Sequence, residues 1–182
     1  MQQGGNGIMK ILSMDLSMNL PAMVLLSITE DKKIKVLGYE YVDNKGLTGK
    51  RKKTNAQKLV EINNALNGFI SKFDLKSCED LHIVRERGFS RFATETQTIF
   101  RVVGLVDYVC LDQLGNKDIV EITPPSVKKL VTGDGKASKS EVMDEVRNFL
   151  VEDQKSMKFY SDDISDAIAV GIAYAIKQGL LI

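Results

Sequence analysis

Ile8-Met9-Lys10-Ile11-Leu12-Ser13-Met14-Asp15-Leu16 is an apolar, strand-like run interrupted near its end by a carboxylate. A carboxylate in such a run is costly unless it is paired or bound to a metal ion, so Asp15 reads as functional rather than decorative. Two more strand-like runs follow at once, Ala22 to Ile28 and Lys33 to Val42, and the polar break Glu30-Asp31-Lys32 suits a hairpin between them. Three consecutive strands make an antiparallel meander with the first run at the centre of the sheet. This start speaks against a doubly wound nucleotide fold, which begins strand-helix-strand.

Outward from the meander, the chain alternates. Thr54 is placed to cap a helix to about Phe73, with Leu59, Ile62, Leu66 and Ile70 on one face. Leu81 to Glu86 reads as a short strand, and about Thr94 to Leu114 as a long helix with a broad apolar face of Ile99, Val102, Val103, Val106 and Val109. Asp118 to Ile122 is a fifth strand. Pro125 or Ser126 opens a short helix through Leu130, and Gly133-Asp134-Gly135 is a turn. Ser138 or Ser140 caps a helix carrying Val142, Val146, Phe149 and Leu150, and a last helix runs from Asp162 to about Lys177. The order predicts a ribonuclease-H-like α/β fold: a mixed five-stranded sheet flanked by helices on both faces. Residues 8–182 are expected to form one domain behind a flexible, glycine-rich leader over 1–7.

A chain of 182 residues with 43% hydrophobic content has enough apolar surface for a core and is not disordered. Its formal net charge of +1 leaves nucleic-acid binding to local basic patches. Cys78 and Cys110 occur without a Cys-x-x-Cys pair, which argues against structural zinc or a disulfide framework. The single histidine, His82, lies inside an apolar run and reads as a satisfied core residue. There is neither a secretory signal nor an apolar run long enough to span a bilayer, so a soluble intracellular protein is expected.

The last helix begins Ser161-Asp162-Asp163-Ile164-Ser165-Asp166-Ala167. Acids at a helix start are favoured by the helix dipole and by capping, so this cluster alone has a structural explanation. Glu86, between Arg85 and Arg87, has one too, as an exposed ion-pair edge. With Asp15, the acids gain a second meaning. Either Asp162 or Asp163 is spaced to pair with Asp166 on neighbouring turns, and with Asp15 and Glu86 they would make an oxygen-ligand cage for a hard divalent cation. Pairs of such ions serve in-line phosphoryl displacement.

Four segments in order resemble the RuvC-type Holliday junction resolvases, as a phage or bacterial member. They are Ile11 to Ser17, with a first-strand aspartate; Val84-Arg85-Glu86-Arg87-Gly88-Phe89, with a strand-end glutamate and an aromatic; Thr123 to Val142, with Val127-Lys128 and then Gly133-Asp134-Gly135-Lys136-Ala137-Ser138-Lys139; and Asp163-Ile164-Ser165-Asp166-Ala167. The resemblance selects Asp163 over Asp162. It implies a homodimer that cleaves four-way DNA junctions symmetrically with Mg2+ or Mn2+, in the cytoplasm of a bacterial or phage-infected cell. Asp15, Glu86, Asp163 and Asp166 would hold metal, Lys128 and Lys139 would lie near the scissile phosphate, and Phe89 would stack on an opened base. The first motif reads Asp-Leu-Ser where many members have Asp-x-Gly, which leaves subfamily placement open.

Two basic groups are candidates for DNA phosphates: Lys50, Arg51, Lys52 and Lys53 in a loop, and Lys128, Lys129, Lys136 and Lys139 around the glycine turn. Each alone also reads as a solvated turn. The rival functions are a nuclease of the same fold acting on other branched DNA or on RNA, and a non-catalytic junction-binding protein that uses its acids only as caps. An actin-like kinase shares a first-strand aspartate, but its phosphate loops are missing.

Overall fold

The computed structural model describes residues 9–45, 52–88, 92–115, 118–159 and 161–181. Five strands, β1 (Lys10–Asp15), β2 (Ala22–Ile28), β3 (Ile34–Tyr41), β4 (Leu81–Glu86) and β5 (Ile119–Ile122), lie in the order β3-β2-β1-β4-β5. The meander is antiparallel as expected, and β1 is the central strand. β4 and β5 then add in parallel, with Met14 beside Arg85 and Glu86 beside Ile122. Each expected strand is found within two residues of its expected ends. The expected leader over residues 1–7 lies outside the described residues.

Period-two alternation sorts the sheet into two cores. Leu12 and Met14 of β1, Leu25 of β2 and Ile83 of β4 face α1 (Asn55–Lys72) and α2 (Ala93–Leu114), where Ile62, Leu66, Phe69, Val102 and Val106 complete one core. Ile11, Val24, Leu26 and Val84 face the opposite way, toward α3 (Pro124–Thr132), α4 (Lys139–Phe149) and α5 (Asp162–Lys177). Helices therefore cover both faces. α5 is apolar nearly all round because it lies directly on the sheet beneath the other two helices; Ile168, Val170 and Ile172 are fully or almost fully buried, each contributing about 1.5–3 kcal/mol by leaving water.

Local signals fix where the helices begin. Thr54 and Ser138 both form capping boxes: Thr54 Oγ1 accepts from the Gln57 amide and Ser138 Oγ from the Glu141 amide, while the Gln57 and Glu141 side chains reach back to the cap amides. Pro124 and Pro125 occupy the first turn of α3, where a missing N–H costs nothing. That helix starts one residue earlier and runs two residues further than the sequence suggested. It stops at Gly133, whose φ of 83° is the left-handed conformation favouring glycine. The turn after it then delivers Lys139 as the first residue of α4.

Ser138→Ala removes one half of the α4 capping box. A loss of about 1 kcal/mol is expected, lowering Tm by roughly 2–4 °C in a chain of this size; a thermal melt checks it, and an unchanged Tm contradicts the role of the cap.

Candidate active site

Asp15 ends β1 on the same face as Ile11, and Glu86 ends β4 on the same face as Val84, so both carboxylates point to the α5 side of the sheet. Because β1 and β4 are parallel and neighbours, their C-terminal ends bring these acids side by side. α5 begins above them. Asp15, Glu86 and Asp166 line a common cavity of about 200 Å3, together with Lys128, Lys139, Pro124, Val127, Val142 and Ala169. Asp163 is half-buried one turn earlier on α5, within electrostatic reach of Asp15. Asp162 is exposed and belongs to the first turn of α5, while Ser161 occupies the N-cap position.

Crowded carboxylates resist ionisation. Burial pushes the Asp15 carboxyl up to about 8, and the charges of Glu86, Asp166 and Asp163 add to the effect, with Lys139 opposing them. Glu86 is pushed to about 7 by burial and then by Asp166, against Lys139 and Lys128. Asp15, Glu86 and Asp166 are gathered at one cavity with Asp163 one turn away; among the described residues no group of three or more His, Cys, Asp or Glu stands in a metal-ligating arrangement. Lys139 Nζ donates to Asp166 Oδ2 at 2.7 Å, partly compensating the mutual repulsion, and this bond raises the pKa of the lysine. As a donor set for a hard cation the site fits: three carboxylates line the cavity with a fourth, Asp163, near Asp15, two of them have pKa values raised by burial and neighbouring acids, and no Cys or Met lines the cavity.

The basic residues divide. Lys128 lines the acid cavity, but its Nζ donates to the Ala137 carbonyl at 2.6 Å and so ties α3 to the turn before α4. Lys129, one residue on, faces elsewhere and lines a separate cavity with Ile122, Leu130 and Lys177. Lys136 is exposed in the turn, and Lys52 is exposed before α1. Lys53 is engaged, with Asn44 Oδ1 at 3.1 Å and Glu61 at 3.6 Å. Lys50, Arg51 and Phe89 lie outside the described residues.

Two features escaped the sequence reading. Arg85 was read as part of an exposed edge, yet it is buried on the α2 side of β4. Its Nη2 donates to Glu121 Oε1 at 2.7 Å and pairs with Asp107 Oδ2 at 3.4 Å, while Glu86 turns to the opposite face. The signal was available in the alternation of Leu81, Ile83 and Arg85 on one side. The second feature is Ser13, fully buried, whose Oγ donates to the Ala167 carbonyl at 2.6 Å; nothing in an isolated serine announces this. His82 is satisfied as expected, with Tyr174 Oη and Asp80 Oδ1 at 2.7 and 2.9 Å from its two ring nitrogens, but it is half-buried rather than in the core.

The family model described as crossover junction endodeoxyribonuclease RuvC matches residues 27–174. A curated protein of that name from Ehrlichia ruminantium (strain Gardel) is 30% identical over 176 residues, 93% of this chain and 99% of its own length. Another from Prochlorococcus marinus (strain MIT 9312) is 31% identical over 171 residues, 94% of this chain and 99% of its own. Among solved structures, Thermus thermophilus RuvC in complex with Holliday junction substrate aligns with a TM-score of 0.72 at 14% identity, over 94% of this chain and 98% of that one. The yeast mitochondrial Holliday junction resolvase aligns at 0.61 and 14%, over 96% and 82%. These two share the fold, a mixed five-stranded sheet with helices.

The raised acid at Asp15 has a consequence for stability. A carboxyl whose folded pKa lies near 8 holds a proton that the unfolded chain has already lost, so its contribution is full below about pH 4 and disappears as pH rises through about 8. Without divalent cations, Asp15→Asn is therefore expected to melt higher than wild type at pH 9, by about 5 °C or more, and at the same temperature at pH 4. Melts in EDTA at the two pH values check this; a difference independent of pH contradicts it.

Proposed function

The chain belongs to the RuvC family of crossover junction endodeoxyribonucleases, and from that premise we propose that it resolves four-way DNA junctions by metal-dependent phosphodiester hydrolysis. The observation that carries the reading is the meeting of Asp15 and Glu86, from parallel strand ends, with Asp166 of α5 in one cavity. Asp15, Glu86, Asp163 and Asp166 would hold a pair of Mg2+ or Mn2+ ions. Such ions neutralise gathered carboxylates and polarise a phosphate ester.

The residues of the chain do the rest. Burial beneath α5 and the apolar walls Val127, Val142 and Ala169 limit water around the acids. Lys139, mostly exposed at its tip and anchored on Asp166, supplies a positive charge that a DNA phosphate can meet. Lys128 tethers the glycine turn and so holds Lys139 in place. Water attack at phosphorus breaks the P–O3′ bond and leaves 5′-phosphate and 3′-hydroxyl ends. The reaction belongs where branched DNA is processed, in the cytoplasm of a bacterial or phage-infected cell; among the described residues no helix is long and apolar enough to cross a membrane.

Symmetric resolution needs two sites, and α2 supports a two-fold homodimer. Phe100, Tyr108 and Leu111 are more than half exposed, and at 100° per residue they fall within roughly a quarter of the helix circumference. Gly104, on the same stripe, leaves open space where a side chain would stand. A second copy, packing the same stripe against it, buries these side chains and sets two active sites toward opposite strands.

A synthetic four-way junction with Mg2+ or Mn2+, cuts mapped on all strands, tests the function. Paired symmetric cuts are expected, with Asp15→Asn binding the junction but cutting it at least about a hundredfold more slowly. Equal cutting of three-way, flap, linear or RNA substrates indicates a broader nuclease. Tight binding without product indicates a junction-binding protein, and undiminished cutting by Asp15→Asn overturns the metal reading. For the dimer, Leu111→Glu is expected to convert a two-chain particle to monomer in light scattering; a wild type that is monomeric with and without DNA removes this proposal.

A further inference from the structure

We propose that Ser13 is a positioning residue that sets how α5 sits on β1, and thereby the spacing between Asp15 and Asp166. The inference rests on reading those two acids as members of one cation site. Ser13 lies on the same face of β1 as Asp15, two residues before it, and is fully buried. Its hydroxyl donates to the carbonyl of Ala167, the residue that follows Asp166. One side chain thus joins the strand carrying one acid to the peptide unit beside the other, across 154 residues of sequence.

The carbonyl it grips does not need it. Inside a helix the Ala167 oxygen already accepts from the amide four residues on, that of Gly171, so the hydroxyl is a second donor that arrives only from the strand. The same Gly171 makes the contact possible. A Cβ at Gly171 would stand 2.4 Å from Leu26 Cδ1, 3.1 Å from Ser13 Cβ and 3.3 Å from Ser13 Oγ. The helix backbone at Gly171 therefore packs closely on the sheet, against the side chains of Ser13 and Leu26. Packing alone would be served by alanine at position 13. What alanine lacks is direction: apolar contact lets a helix slide or roll on a sheet, whereas a short bond to one carbonyl resists both. A roll of α5 swings Asp166 out of the cavity it shares with Asp15 and Glu86, since its carboxylate stands on the circumference of the helix.

The experiment uses the full chain and Mn2+ alone as probe. Calorimetric Mn2+ titration without DNA, junction binding in EDTA, thermal melts and steady-state cleavage are measured for wild type and Ser13→Ala. For Ser13→Ala, Mn2+ affinity and kcat are each expected to fall at least about tenfold, as for other groups that orient metal ligands. KM, junction affinity and the melting curve stay close to wild type. Gly171→Ala, which pushes the helix off the strand, is expected to weaken Mn2+ binding in the same direction. A core control, Ile62→Val, reports what loss of stability alone does. If Ser13→Ala binds Mn2+ and cleaves as wild type does, or loses both only in step with its melting temperature as the control does, the positioning role is overturned. A wild type that binds no Mn2+ overturns the cation reading itself, and the inference with it, so the two failures are told apart.

Discussion

The structure is organised around a repulsion. Two parallel strands side by side at the centre of the sheet end in Asp15 and Glu86, both aimed at the helix above, and that helix begins with more acids. Burial and like charge together make ionisation expensive for each. Two arrangements relieve this: a proton or an ammonium group, as Lys139 on Asp166 provides, or a divalent cation. A fold that only needed stability would do better with apolar residues at these positions. On the proposed reading a hard cation relieves this crowding, and the surrounding elements can be understood as what holds the acids together despite it.

Much of this was legible in the residues. The meander with β1 at its centre followed from the three-run start, and helices on both faces followed from the order of elements. Asp15 declared itself because a carboxylate in an apolar run has few bland explanations. Thr54 and Ser138 marked their helix starts through local chemistry that tertiary packing left untouched. These signals are local or periodic, and periodicity survives folding.

What could not be read depends on which far-off group a side chain meets. Arg85 looked like a partner for neighbours in sequence, yet its partners are Asp107 and Glu121, on other elements, and the pleat separates it from Glu86. Lys128 and Lys129 looked equivalent in a basic group, but adjacent positions on a helix point about 100° apart, so one enters the acid cavity and the other lines a different one. Lys53 looked free and is held by Asn44 and Glu61. A charge count sees none of these differences. They decide which lysines can touch a phosphate near the acids.

α5, the last of the described helices in chain order, also has a consequence in time. Synthesis runs from the N-terminal end, so the meander and β4 are made while Asp163 and Asp166 are still to come. Asp15 and Glu86 then stand exposed without their partners from α5, and the cavity has no roof. On the proposed reading an interrupted product carries only two of the four proposed ligands and cannot complete the cation site, so the order of the elements along the chain ties cutting to a finished chain.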